Sequence, residues 1–345
     1  MDDRQPRSFN FADIWEAVAP QVGSRTALVC GAQRRTYAEL ERRVNQLARH
    51  LHVSGLGPGD RIGIFLRNGA EYIETMLAAF TIRAVPVNVN YRYVADELHH
   101  LLADSEATAL VYHRSLEPAV IGVLGRVPPM RTLLVVHDRA VDDRAAATSP
   151  PADDRAAATS PPAAARAFED ALAAEADHRL DVADRSGDDR YLMYTGGTTG
   201  LPKGVLWRQE DAFFGCIGGG DPMRLNGPVT DPGEIPERIV EGFSFLPVAP
   251  LMHAAAQWTT LSWLFAGGKT TLMPGGLDPA AVWQAVQDEA ANSLTVVGDA
   301  VGRPLVAAWE AEPDRWNISS LFSISNGGAP MSPTLKARLA QLFPG

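Results

Sequence analysis

Apolar residues recur at two periods along this chain, and the two periods take turns. Thr36-Tyr37-Ala38-Glu39 has the form of a capping box, after which Leu40, Val44, Leu47 and Leu51 follow at helical spacing. The Gly/Pro-rich stretch 55–60 stops that helix, and residues 61–66 read as a strand. A second helix places Tyr72, Ile73, Met76, Leu77 and Phe80 on one face. Residues 85–89 form the next strand, where Pro86 calls for a strand start or a sheet edge. A helix near 96–102 and a strand at 109–112 complete this run. Downstream, a short helix around 168–174 and another at 209–216 precede 218–236, a Gly/Pro-rich stretch that reads as a long ordered loop. Alternation then resumes with strands at 243–246, 269–273, 294–297 and 321–325. Helices are expected at 254–265, 279–290, 303–310 and 333–342, the last with Ser332 as its N-cap. The fold class this predicts is α/β, with two largely parallel sheets flanked by helices.

One stretch breaks the alternation. Residues 142–152 are repeated without change at 153–163, and the paired prolines, alanines and aspartates have the composition of a solvated linker. Two short copies are too few for a solenoid. The expected organisation is therefore a first α/β lobe at 1–137, a linker insertion at 138–165, and a second lobe at 166–345. A chain of 345 residues with 46% hydrophobic content is long and apolar enough to fill both.

Charge and cysteine content narrow the function. The net charge of −10 disfavours nonspecific nucleic-acid binding. Cys30 and Cys216 stand far apart with no metal spacing, so neither a disulfide framework nor a cysteine metal site is expected. The charged start Met1-Asp2-Asp3-Arg4 does not open a secretion signal, and no apolar run reaches the roughly 18 residues of a membrane span. A cytoplasmic protein is the expectation.

The densest chemistry lies at residues 191–205. Four apolar or aromatic residues (Tyr191 to Tyr194) read as a buried strand, followed by Thr195, Gly196, Gly197, Thr198, Thr199, Gly200, Leu201, Pro202, Lys203 and Gly204. Glycines let backbone N–H groups close around an anion, hydroxyls add donors, and the lysine adds charge. Between Arg190 and Gln209 the charged residues are Arg190, Lys203 and Arg208, all basic. This is not a Walker A loop, because Lys203 is flanked by Pro202 and Gly204. On glycine content alone it reads equally as a Gly-rich hairpin or a strand-to-helix turn. Further on, His253 closes Pro250-Leu251-Met252-His253 between a strand and a helix, where the sheets of α/β proteins gather ligands. Asn326-Gly327-Gly328-Ala329-Pro330 follows another strand, and its small residues let a flat ring approach the backbone. Asp299 ends a third strand, with helix N-capping the competing role. Trp258 and Trp263 read as core, and His99-His100 as a solvated helix face.

Taken whole, 195–204 resembles the signature loop of the adenylate-forming superfamily (acyl-CoA synthetases, luciferases and adenylation domains), with Gly196 where serine is usual. Pro-Leu-Met-His and Gly-Gly-Ala-Pro follow in the family's order. Together with Trp207-Arg208-Gln209-Glu210-Asp211 they look most like the fatty-acyl or steroid-acyl CoA ligase branch. The resemblance implies ATP binding by Thr195, Gly196, Gly197, Thr198, Thr199, Gly200 and Lys203, and an adenine face at Gly327, Gly328, Ala329 and Pro330. It implies an acid site at His253 and, less directly, Asp299, with Mg2+ on the phosphates and coenzyme A as the second acceptor. The implied reaction activates a carboxylic acid to an acyl-adenylate and then to acyl-CoA. The family's later Gly-x-[Ser/Thr]-Thr-Glu segment, whose glutamate helps hold Mg2+, its ribose-binding aspartate and its lysine-bearing C-terminal domain have no counterpart up to Gly345. This chain by itself is therefore expected to bind ATP weakly and turn over slowly. A non-catalytic nucleotide- or acyl-binding descendant, and an adenylating enzyme with another acceptor, are the alternatives.

Overall fold

The computed structural model describes residues 8–137, 165–195 and 201–343. The duplicated segment and the tip of the glycine-rich loop, residues 196–200, lie outside the described residues.

Two sheets carry the fold. The larger has seven strands: β3 (Arg61–Phe65), β4 (Val85–Asn88), β5 (Ala107–His113), β6 (Thr132–Val136), β7 (Ala165–Ala167), β8 (Arg190–Thr195) and β9 (Lys203–Arg208). Their spatial order is β7-β6-β5-β3-β4-β8-β9, parallel throughout except for the β8–β9 hairpin. The smaller sheet joins β1 (Thr26–Cys30) and β2 (Gln33–Thr36) to β10 (Ser244–Pro247), β11 (Lys269–Leu272), β12 (Ser293–Val296) and β13 (Ser323–Asn326). Its order is β13-β12-β10-β11-β1-β2, with β1–β2 the antiparallel pair. Segments 1–137 and 166–345 thus each contribute strands to both sheets. Parallel pairing permits this, because each strand takes a neighbour reached by a long crossover.

Helices fill the space between the sheets and cover their outer faces. The Ala70–Thr81 helix is buried at every residue, as a helix between two sheets must be. With the Phe11–Val18, Tyr37–Val53 and Ala254–Phe265 helices it packs on inward side chains of both sheets, among them Ile62, Val111, Met193, Leu28 and Leu272. Phe11 is the hub, its ring 5.1, 5.8 and 5.5 Å from those of Phe80, Tyr191 and Phe265. Outside, the Ala95–Asp104 and Glu117–Leu124 helices cover the larger sheet, and Pro279–Asp288 and Gly298–Ala311 cover the smaller.

Local signals account for several boundaries. Thr36 and Glu39 close the expected capping box at 3.2 and 2.8 Å, and Ser332 accepts from the Leu335 amide. Pro86 is the second residue of a strand in the sheet interior, not at an edge. The amides of Val85 and Val89 donate to β3, so by alternation the proline nitrogen faces the other way, where pairing with β8 is formed only at Val87. The 298–311 helix starts five residues before the expected position and runs through Pro304. Order in 218–236 comes from turns such as Asp221, which accepts from the Asn226 amide, and from a 3-10 helix at Pro232–Arg238.

Candidate functional site

The candidate residues lie at the carboxyl ends of strands from both sheets, and a short series of contacts brings them together. β8 enters the glycine-rich loop and β9 leaves it, with Thr195 directly opposite Lys203 and both exposed. β8 and β9 are therefore the two arms of a hairpin. Gly204 is closely packed there: a Cβ would sit 3.0 Å from Leu192 Cδ1 and Tyr194 Cζ across the ladder, so those side chains would have to give way. Tyr194 fixes the base of the hairpin, its hydroxyl donating to Asp104 at 2.5 Å. Burial and that carboxylate hold the phenol well above its usual range. Gly196, Gly197, Thr198, Thr199 and Gly200 fall outside the described residues, so only the flanks Thr195 and Lys203 are placed. His100, expected on a solvated face, is half-buried with Nε2 3.4 Å from the Pro202 carbonyl beside the same hairpin.

Asn88, at the end of β4, ties this hairpin to the His253 turn. Its Oδ1 accepts from the Tyr194 amide at 2.7 Å, while Nδ2 donates to the carbonyls of Tyr194 at 2.9 Å and Met252 at 2.7 Å. The side chain is buried and spends every hydrogen-bonding position but one acceptor lone pair on these partners. His253 comes next, at the N-cap position of the Ala254–Phe265 helix with no side-chain capping bond. Part of its ring faces solvent. Partial desolvation, and then the positive charge of Arg92, hold its pKa below the ordinary histidine value, favouring the neutral imidazole at pH 7.

One turn along, Ala255 meets the segment expected to face adenine. A Cβ added at Gly327 or Gly328 would lie 3.7 Å from that of Ala255. The Gly327 amide donates to the Val296 carbonyl, and Asn326 bridges from the Gly298 amide to the Ala329 carbonyl. Gly298 is indispensable to this arrangement: its φ is +57°, and a Cβ would stand 2.6 Å from the Pro330 carbonyl oxygen. Asp299 sits in the first turn of the next helix. Its Oδ1 accepts from the Ser332 amide at 2.7 Å and its Oδ2 from Arg303 at 2.9 and 2.7 Å. Those bonds, the Ser332 amide first, hold its carboxyl below the usual range. They fix residues 330–332 against the helix start.

A cavity of about 390 Å3 opens one turn beyond Ala255, between the Ala254–Phe265 helix, the 216–224 loop and the face of β10, β12 and β13. Its inner end is aromatic, with Phe243 stacked on Trp263 at 3.7 Å and edge-on to Phe322 at 5.7 Å. Trp258 lines the same cavity, half-buried and edge-on to Trp207. Trp263 is buried, as expected of a core residue, and also lines the cavity, whereas Trp258, expected in the core too, is only half-buried in its wall.

These contacts link the flanks of the glycine-rich hairpin, the His253 turn and the Gly-Gly-Ala-Pro segment. The family model described as "AMP-binding enzyme" matches residues 15–345. This chain belongs to the AMP-binding enzyme family. It is 36% identical over 344 residues to 3-oxocholest-4-en-26-oate--CoA ligase from Rhodococcus rhodochrous, covering 98% of this chain and 59% of that one. It is 37% identical over 355 residues to the medium-chain acyl-CoA ligase Mig of Mycobacterium avium, with coverages of 98% and 60%. The chain thus spans about three fifths of the length of these curated relatives. Among solved structures, a putative long-chain-fatty-acid CoA ligase from Rhodopseudomonas palustris CGA009 superposes with a TM-score of 0.76 at 20% identity, over 98% of this chain and 74% of that one. That likeness shows the fold.

Sequence reasoning missed two positioning residues. Asn88 gives no pattern signal, since a lone Asn at a strand end reads as a turn former. Gln257 is buried on the helix after His253 and donates to the Leu251 carbonyl at 2.7 Å and to Tyr72 at 3.0 Å, while accepting from Tyr191 at 2.7 Å. A glutamine on an otherwise apolar helix face was the available signal.

Proposed function

We propose that this AMP-binding enzyme supplies the nucleotide and acid sites for ATP-dependent activation of a carboxylic acid, first to an acyl-adenylate and then to a coenzyme A thioester. The observation that carries this is the junction at Asn88, which holds the hairpin base and the His253 turn within hydrogen-bond reach of one side chain. The chemistry needs a triphosphate and a carboxylate side by side.

In this reading Lys203, Thr195 and the amides and hydroxyls of 196–200 hold the β- and γ-phosphates. Residues 327–330 lie against the adenine. Gly328, exposed and at φ +81°, offers bare backbone there with no side chain of its own. His253, neutral at pH 7, borders the carboxylate, and the cavity along the Ala254–Phe265 helix receives the acid's tail. The carboxylate attacks the α-phosphate and pyrophosphate leaves; the thiol of coenzyme A then displaces AMP. Catalysis of this kind rests on charge stabilisation and positioning. Mg2+ arriving with ATP would offset phosphate charge; the described residues hold no cluster of three or more His, Cys, Asp or Glu side chains placed for a metal. The names of the curated relatives point to fatty and steroid side-chain acids as substrates. No described helix is long and apolar enough to cross a membrane.

Calorimetric titration with ATP, on the chain and on Lys203→Ala/Thr198→Ala, tests the phosphate site. Each lost bond to a charged oxygen is expected to cost about 1–3 kcal/mol. Unchanged affinity in the double variant overturns the assignment. Pyrophosphate exchange that depends on added carboxylic acid separates activation from nucleotide binding alone.

A further inference from the structure

The cavity beside the Ala254–Phe265 helix has an aromatic end but a hydroxyl floor. β12 and β13 run in register, Ser293 opposite Ser323 and Thr295 opposite Ser325, and all four side chains line the cavity. Their neighbours Leu294, Val296 and Ile324 point the other way, into the core under the outer helices. An ordinary parallel strand carries apolar residues on both faces. Here one face of two adjacent strands carries only hydroxyls. The outer rung satisfies itself, Thr295 and Ser325 sharing a hydrogen bond of 2.6 Å. The inner rung does not: among the described residues the hydroxyls of Ser293 and Ser323 have no hydrogen-bond partner. On the helix opposite, Thr259 and Ser262 donate their hydroxyl protons to the Ala255 and Ile217 carbonyls, not to this rung.

We infer that the inner rung, Ser293 with Ser323, selects acids whose tail carries a hydrogen-bonding oxygen, a ketone or hydroxyl, at its far end. This rests on the reading of the cavity as the acid's site and adds the residues that read the far end of the tail. The reason is desolvation. A plain alkyl tail filling the cavity strips water from two hydroxyls and returns nothing, whereas an oxygen placed between them restores the lost bonds. Sites built to bond a substrate oxygen discriminate strongly against analogues that lack it. The position follows from strand geometry. Ser323 lies four residues before Gly327, so the oxygen belongs roughly 13 Å from the crevice at about 3.3 Å per residue.

Dodecanoic acid and 11-oxododecanoic acid, titrated calorimetrically into the wild-type chain and into Ser293→Ala/Ser323→Ala, test the inference. The wild type is expected to bind the oxo acid about tenfold more tightly, and the double variant to bind the two alike, with dodecanoate bound more tightly than by the wild type. Equal binding by the wild type, or a preference that survives in the double variant, overturns the role of the rung and leaves the acid site standing. Wild-type binding of both acids that Ser262→Trp, a block across the cavity, fails to weaken overturns the acid site and the inference with it.

Discussion

Replacing Asn88 with alanine removes three hydrogen bonds from buried partners in a single step. The Tyr194 amide, the Tyr194 carbonyl and the Met252 carbonyl each lose their partner at 2.7–2.9 Å. A buried polar group left unpaired costs about 1–3 kcal/mol. Water entering the vacated space recovers part of this, and the three losses share one site and do not add fully, so about 3–5 kcal/mol is expected. Asn88→Asp is expected to be worse at neutral pH, because it loses both donors and sets a carboxylate oxygen against two carbonyls. Urea unfolding gives the global loss. Hydrogen exchange at the Tyr194 amide gives the local one, and protection there should fall more than at β5 or β6. A loss below about 0.5 kcal/mol, typical of a plain surface substitution, would refute the reasoning. So would unchanged Tyr194 protection in a destabilised variant, because the loss would then lie elsewhere.

Further outcomes follow from the same contacts. Gly298→Ala forces a side chain into the left-handed region at about 1–2 kcal/mol and drives a Cβ onto the Pro330 carbonyl. It should both lower the urea midpoint and weaken AMP binding measured by calorimetry. Arg43→Ala leaves fully buried Glu74, which Arg43 binds through two nitrogens at 2.6 and 3.0 Å, with only the more distant Arg35 at 3.9 Å. A loss of about 3–5 kcal/mol is expected in urea unfolding, with Arg43→Met/Glu74→Leu recovering most of it. His50 is buried, and desolvation, then Arg166, holds its pKa below the ordinary value, with Glu175 at 3.8 Å pulling the other way. Because the folded pKa lies below the unfolded one, stability is complete above about pH 6.5 and falls as pH drops through that range. Urea midpoints at pH 7.5 and 5.5 should differ, and His50→Leu should narrow the gap.

The elements that could be read in the sequence are those whose signals are local. The Thr36–Glu39 box, the Ser332 cap and the helical spacing of Leu40, Val44, Leu47 and Leu51 depend only on neighbours a few residues away. The 298–311 helix was read short because a glycine with positive φ and an internal proline both look like breakers, while the Asn326 side chain and the start of the helix at Gly298 are decided by β13. Sheet membership was not legible, since β1 finds its parallel partner β11 only in space. The same holds for the site. Motif spacing marked Thr195, Lys203, His253 and residues 327–330, but Asn88 and Gln257 act across separations that no pattern records. Asp299 shows the limit at a single residue: from sequence it had two roles, and the structure spends its carboxylate on Ser332 and Arg303.

The membership of β1 in the smaller sheet bears on how the protein is made. Leu28 pairs with Thr270, so on a ribosome the β1–β2 hairpin waits for roughly 240 further residues before its parallel neighbour exists. During that interval the side of β1 that β11 will pair with is unpaired and open to holding factors or to other nascent chains. Slowing elongation should therefore leave the yield of native protein unchanged or lower it, whereas a holdase supplied during synthesis should raise it.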